Sequence, residues 1–198
     1  MTLIIGAIAK NGVILIGDKR TFFPDKIFSY HDRSTKIFKV NNLVGIAGAG
    51  EGDDVEDVLK YILSLKLTGD IDAVVSSIES EVKKRMANWY MNPNNVLLEQ
   101  HGKVRSPYYV ILIAGFTNKG QPKLCSIPTD NIRIINRQED FHIEGVTDVG
   151  YPLFKTKHKA TSSIEDTEKL AISAIEETAK ISMGVCNKYD SIKIEFKK

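Results

Sequence analysis

A threonine directly behind the initiator methionine, in the opening MTLII, puts unusual chemistry within reach of this chain. A small residue at position 2 favours removal of Met1, and the chain then begins at Thr2. A terminal threonine carries a hydroxyl nucleophile and a free α-amine in one residue. The unperturbed amine has a pKa of about 8, so near neutrality a substantial neutral fraction can take the hydroxyl proton, directly or through a water. Two further groups are needed: a positive charge that lowers both pKa values, and donors for the oxyanion of a tetrahedral intermediate. Asp18, Arg20 and Lys36 are the charged candidates.

Placing those side chains is the task of the first strands. Leu3 to Ile8 and Val13 to Ile16 are apolar, β-branched-rich runs flanking Lys10-Asn11-Gly12, which reads as a hairpin because asparagine and glycine tolerate positive φ. A three-residue loop, Lys10 to Gly12, sets Thr2 opposite Arg20, with Asp18 two residues along on the same face. A two-residue Asn11-Gly12 loop sets Thr2 opposite Thr21 and turns Asp18 and Arg20 away. Lys36 opens a later strand and reaches Thr2 if that strand lies beside the hairpin.

Strands that are apolar at nearly every position are covered on both faces. Lys36 to Val40 and Leu43 to Ala47 continue the first strand block. Helical spacing follows at Val55, Val58, Leu59, Ile62 and Leu65, capped by Asp53 or Asp54. After the Thr68-Gly69-Asp70 break, Ile71, Val74, Val75, Ile78 and Val82 mark a second helix that ends in NWYMNPNN. Asn92 to Arg105 reads as a long polar connection. Strands resume at Tyr108 to Ala114, Lys123 to Ile127 and near Ile132 to Ile135. A helix from near Ser163 and a strand over Ser191 to Phe196 close the chain. Strand blocks separated by helices predict an α+β domain: two antiparallel sheets stacked face to face with helices outside both, an αββα sandwich over 1–198.

The pattern TxxxG followed by NGVxxxGDKR, then STKIFKV and GIAGAGEGDD, resembles the β subunits of the 20S proteasome and the bacterial HslV-type peptidase. The match is dense over roughly residues 2 to 60. It implies an N-terminal nucleophile (Ntn) hydrolase, a threonine-type endopeptidase working through an ester on Thr2, assembled as a homo-oligomer of the ring type around a chamber. Residue by residue it puts the nucleophile on Thr2, the family acid on Asp18, the nearby arginine on Arg20 and the catalytic lysine on Lys36. The oxyanion donor falls on the backbone N–H of Gly48 or Gly50, with Gly48 preferred. Two extra residues between Asp18 and Lys36 belong to a loop around Pro24. The family's supporting Ser and Asp fall near Asp148 and Ser182, where the surrounding residues differ. The opening MTLII is also similar to connectase-type peptide ligases, in which an amine resolves the ester. A non-catalytic assembly subunit is the third reading.

Composition narrows the partners. Among 198 residues, 27 Lys+Arg against 25 Asp+Glu leave a net charge of +2, with no basic arm, so nucleic acid is not expected. Cys125 and Cys186 have no framework spacing, which points to a reducing, cytoplasmic setting. The apolar start has no basic leader region and is interrupted at Lys10, and no run is of membrane-span length. What the family resemblance implies as partners is a peptide or unfolded protein substrate and further copies of the chain, with an ATPase as a possible third. No cofactor or metal is expected, since His31, His101, His142 and His158 lack ligand spacing. GAGEGDD is a poor phosphate loop because Glu51, Asp53 and Asp54 would repel a pyrophosphate. Lys155, Lys157, His158 and Lys159 read as a solvated surface, and Trp89, Tyr90 and Met91 as core or subunit contact.

Overall fold

The alternation of side chains along β1 (Leu3–Ala9) and β2 (Gly12–Asp18) sorts one apolar hairpin between two cores. Leu3, Ile5, Ala7, Ile14 and Ile16 face one side, whereas Ile4, Val13 and Leu15 face the other. The structure, a computed structural model, describes residues 2–23, 29–50, 52–92, 108–130 and 133–196. Met1, the loop around Pro24, Ile132 and all of the expected polar connection beyond Asn92 lie outside the described residues.

Among the described residues, fifteen elements follow in order. After the hairpin come β3 (Thr21–Phe23), β4 (Ser29–His31), β5 (Ile37–Lys39), β6 (Val44–Gly50), α1 (Gly52–Ser64) and α2 (Ile71–Met91). Then come β7 (Tyr109–Phe116), β8 (Pro122–Pro128), β9 (Ile135–Asn136), β10 (Phe141–Gly145), α3 (Gly150–Lys157), α4 (Ile164–Ile181) and β11 (Tyr189–Ile194). One sheet has the order β10-β1-β2-β11, the other β5-β6-β7-β8-β9, and β3 with β4 forms a separate hairpin. All pairings are antiparallel.

Three apolar layers hold the sheets. Ile4 and Leu15 meet Ala47, Leu112, Ala114 and Leu124 between the sheets. Ile46, Ile111 and Ile113 pack outward on Leu59, Ile62 and Ile78 of α1 and α2. On the opposite outside, Ile5 and Ile16 pack on Phe154, Ala171 and Ile175 of α3 and α4. Each fully buried aliphatic side chain contributes about 1.5–3 kcal/mol. The result is the expected αββα sandwich.

The hairpin loop differs from both expected registers. Ile4 pairs with Gly17, Ile8 with Val13 and Ala9 with Gly12, leaving Lys10-Asn11 as the loop. Gly12 is absent from the positive-φ residues, so it does not serve the turn. A Cβ there would lie 2.7 Å from the Ile194 carbonyl oxygen and 2.8 Å from Ile164 Cδ1. Glycine is needed for that close approach. Asn11 Oδ1 instead accepts the Ile164 N–H at 3.1 Å, at the start of α4.

Several elements were invisible in the sequence pattern. β3 and β4 fall in the stretch read as a loop, and β10 and α3 were not anticipated. Only Gly150 and Phe154 of α3 are buried, too few for a helical stripe. Asp53 and Asp54 lie within α1, past the cap position. Tyr90 and Met91 are exposed at the end of α2 rather than in the core. His158 turns inward from the basic run onto Phe141 and Phe154, and burial lowers its pKa. Among the described residues no helix is long and apolar enough to cross a membrane.

Candidate active site

Thr2 precedes β1 and is nearly fully buried. Its carbonyl accepts the Val146 N–H at 2.9 Å, which ties the start of the chain to the end of β10. This seat depends on Gly145, whose φ is +99° and whose added Cβ would sit 1.8 Å from the Thr2 carbonyl oxygen. A residue with a side chain cannot occupy that position.

Asp18 ends β2 and is 1% exposed. Its Oδ1 accepts from Thr2 Oγ1 at 2.9 Å, from the Leu3 N–H at 2.8 Å and from Lys36 Nζ at 3.0 Å. Its Oδ2 accepts the Arg20 N–H at 2.8 Å and the Cys186 N–H at 3.4 Å. Five N–H and O–H donors, with the Cys186 thiol 4.0 Å from Oδ2, satisfy the two oxygens in a dry site.

Lys36 comes from the facing sheet, immediately before β5, and not from a strand beside the hairpin as expected. Its ammonium donates to Thr2 Oγ1, Asp18 Oδ1 and the Arg20 carbonyl, which matches its three N–H bonds to three acceptors. Burial pushes the Lys36 pKa below its ordinary 10.5, while Asp18 opposes that shift. A small cleft opens over Thr2 and Lys36, bordered by Thr21, Ser34, Gly48 and Gly50. Thr21 Oγ1 and Ser34 Oγ hydrogen-bond to each other at its wall.

The arrangement is a hydroxyl held against an ammonium and a carboxylate beneath an open cleft. Residues 2–192 match the proteasome subunit family. The chain belongs to that family. It is 28% identical over 172 residues to proteasome subunit beta 2 of Pyrococcus furiosus, covering 86% of this chain and 76% of that protein. Identity to proteasome subunit beta 1 of Thermococcus onnurineus is 25% over 173 residues, covering 86% and 77%. Among solved structures, the Anbu complex from Pseudomonas aeruginosa, described as a helical assembly, superposes with a TM-score of 0.79 at 15% identity. That superposition covers 98% of this chain and 81% of the other, and shows the shared fold.

Within this proteasome-family subunit, two expected site residues stand differently. Arg20 does not face Thr2 with its guanidinium. Its Nε and Nη2 donate to Asp32 at 2.7 and 3.0 Å, and its Nη1 donates to the Met183 carbonyl at 3.0 Å. Arg20 serves the site through its backbone, because β1–β2 pairing stops at Ile4–Gly17 and the chain beyond Asp18 turns away. Gly48, the preferred candidate for the oxyanion donor, is engaged within the sheet. The Gly48 N–H already donates to the Lys36 carbonyl at 2.9 Å, so it is committed to the β5–β6 ladder. Strand alternation sends the Gly50 N–H to the same side, beyond the start of β5. Gly50 has a φ of +149°, and a Cβ there would lie 2.4 Å from the Tyr108 carbonyl oxygen.

Neither Asp148 nor Ser182 joins the cluster. Asp148 is exposed in the turn before α3, and Ser182 caps the end of α4. The segment after Ser182 meets the site through backbone groups instead, and a backbone contribution leaves no residue-type signal. Gly145, Asp32 and Cys186 were likewise missed. Only Gly145, closing a run that alternates in FHIEG, carried a visible cue.

Proposed function

We propose that this proteasome-family chain is a threonine-type peptidase whose nucleophile is Thr2, exposed by removal of Met1. The observation that carries this reading is the Lys36 ammonium, which donates to Thr2 Oγ1 and to Asp18 Oδ1 together. Thr2 Oγ attacks the substrate carbonyl carbon as its proton passes to the freed α-amine. Lys36 stabilises the developing alkoxide, and Asp18 keeps Lys36 charged and oriented. The carbonyl oxygen becomes an oxyanion that accepts a hydrogen bond from the Gly50 N–H. Collapse breaks the C–N bond, the α-ammonium protonates the departing amine, and an ester to Thr2 remains. Water, activated by the same amine, hydrolyses it.

Intact-mass measurement of the native protein tests the first condition, since full retention of Met1 excludes this chemistry. Given Met1 loss, an electrophilic threonine trap adds one label at Thr2, and Thr2→Ala removes it. With a peptide substrate, hydrolysed product supports a peptidase; ligated product in the presence of a peptide amine points to transfer instead. We also place the chain in an assembly of its own copies, a reading supported by its family and by the helical assembly described for the Anbu complex. A native mass equal to one chain overturns that part.

A further inference from the structure

Asp32, directly after β4, contacts none of the three central side chains but is linked to them through Arg20. Its two carboxylate oxygens take the Arg20 guanidinium in a bidentate fork at 2.7 and 3.0 Å, with Tyr30 stacked on the guanidinium at 4.0 Å. Both partners are largely shielded from solvent, at 16% and 22% side-chain exposure. A fork so held fixes the orientation of Arg20 as well as its charge.

Arg20 makes three separate connections to the site. Its N–H donates to Asp18 Oδ2 at 2.8 Å, and its carbonyl accepts from Lys36 Nζ. Its Nη1 donates to the Met183 and Val185 carbonyls at 3.0 and 3.4 Å, which brings the Cys186 N–H to Asp18 Oδ2. Two of the five N–H and O–H donors on Asp18 and one of the three acceptors on Lys36 therefore depend on where Arg20 sits.

We infer that Asp32 is a positioning residue: its fork on Arg20 sets the backbone groups that hold the Asp18–Lys36 pair against Thr2. The inference deepens the peptidase reading and rests on it for its functional meaning. The coupling itself is read on Lys36 and does not require Thr2 to react.

The groups that face Lys36 set the direction of the effect. Asp18, Thr2 and the Arg20 carbonyl touch it, Asp32 and the Cys186 thiol stand near enough to act on it, and Glu56 lines the same cleft. Removing the Asp32 charge leaves the Arg20 guanidinium without its counter-ion and frees the carbonyl that accepts from Lys36. Both changes disfavour the ammonium.

The test is a carbon-13 NMR titration of the Lys36 Cε resonance in the full chain, assigned with Lys36→Arg, alongside the rate of Thr2 labelling against pH. Asp32→Asn moves the Lys36 titration down by about 1 pH unit and shifts the alkaline limb of labelling with it. The maximal labelling rate falls about tenfold while the concentration dependence of the trap is unchanged. Asp32→Glu, which keeps the charge at a longer reach, gives an intermediate shift of about half a unit and carries the test if the asparagine variant does not fold. A variant that melts earlier but titrates Lys36 as the parent does assigns Asp32 a purely structural role and overturns the inference. Failure of the parent protein to label at Thr2 after Met1 loss overturns the peptidase reading alone, because the Lys36 titration is still scored.

Discussion

Two lysine–carboxylate pairs in this molecule have similar distances and opposite meanings. Lys36 and Asp18 meet at 3.0 Å with side-chain exposures of 8% and 0%, between the sheets at the edge of the cleft. Lys84 and Glu81 meet at 2.5 Å on the outer face of α2, where Lys84 is 65% exposed. The outer pair is the shorter, yet its ammonium stays largely in water while Glu81, 20% exposed, also accepts from Tyr61 Oη at 2.7 Å. The inner pair has exchanged its water for protein donors and acceptors, so removing either member leaves the other charged in a dry site. Burial, not distance, makes the inner pair consequential. A costly buried pair beside a hydroxyl is also where shifted pKa values and chemistry are expected together.

The comparison breaks most sharply at Lys36. Lys36→Met removes the ammonium and leaves the Asp18 carboxylate with backbone and hydroxyl donors alone. Denaturant unfolding is expected to show a loss of about 3 kcal/mol, and trap labelling of Thr2 is expected to vanish. Asp18→Asn is the next largest: its amide presents N–H to a position that now accepts from backbone N–H groups. A loss of about 2 kcal/mol and a labelling rate at least tenfold lower, roughly, are expected in the same two measurements.

The pH dependence sharpens the contrast. The folded pKa of Lys36 lies below the unfolded value near 10.5. Between those two values the unfolded chain holds a proton that the folded chain has released, so the Lys36 contribution to stability rises with pH through that window. Below the folded pKa the full cost of burying the ammonium is present. Denaturation series at several alkaline pH values should show this slope in the parent and lose it in Lys36→Met. Lys84 shifts the other way, raised by Glu81, but remains in water. Lys84→Ala, the smallest perturbation, should leave both thermal unfolding and Thr2 labelling in place.

Where a residue's role depends on its immediate neighbours in the chain, the sequence was readable. Asp70 and Ser163 cap α2 and α4 by accepting from Ala73 N–H at 3.2 Å and Asp166 N–H at 3.1 Å. Both lie directly before an apolar helical stripe. The candidate site was partly readable for a different reason. Thr2, Asp18 and Lys36 are polar residues next to strands that are otherwise apolar, and their order resembles a known family. Gly12 misled because glycine has two uses. The Asn-Gly pair signals a turn locally, whereas here the glycine makes room for β11 and α4, both more than 150 positions later in the sequence. Arg20 misled similarly, since its partner Asp32 directly follows a hairpin too short to show a strand pattern.

By itself, then, the sequence determined the sandwich and the starts of α2 and α4, because burial periodicity and capping are local properties of the chain, and the order of Thr2, Asp18 and Lys36 made them the candidates. Only the tertiary structure decided the hairpin register, the arrival of Lys36 from the facing sheet, the commitment of the Gly48 N–H and the pairing of Arg20 with Asp32. Each of those depends on which distant backbone comes within a few ångströms, and the packing of the two sheets and their helices settles that contact.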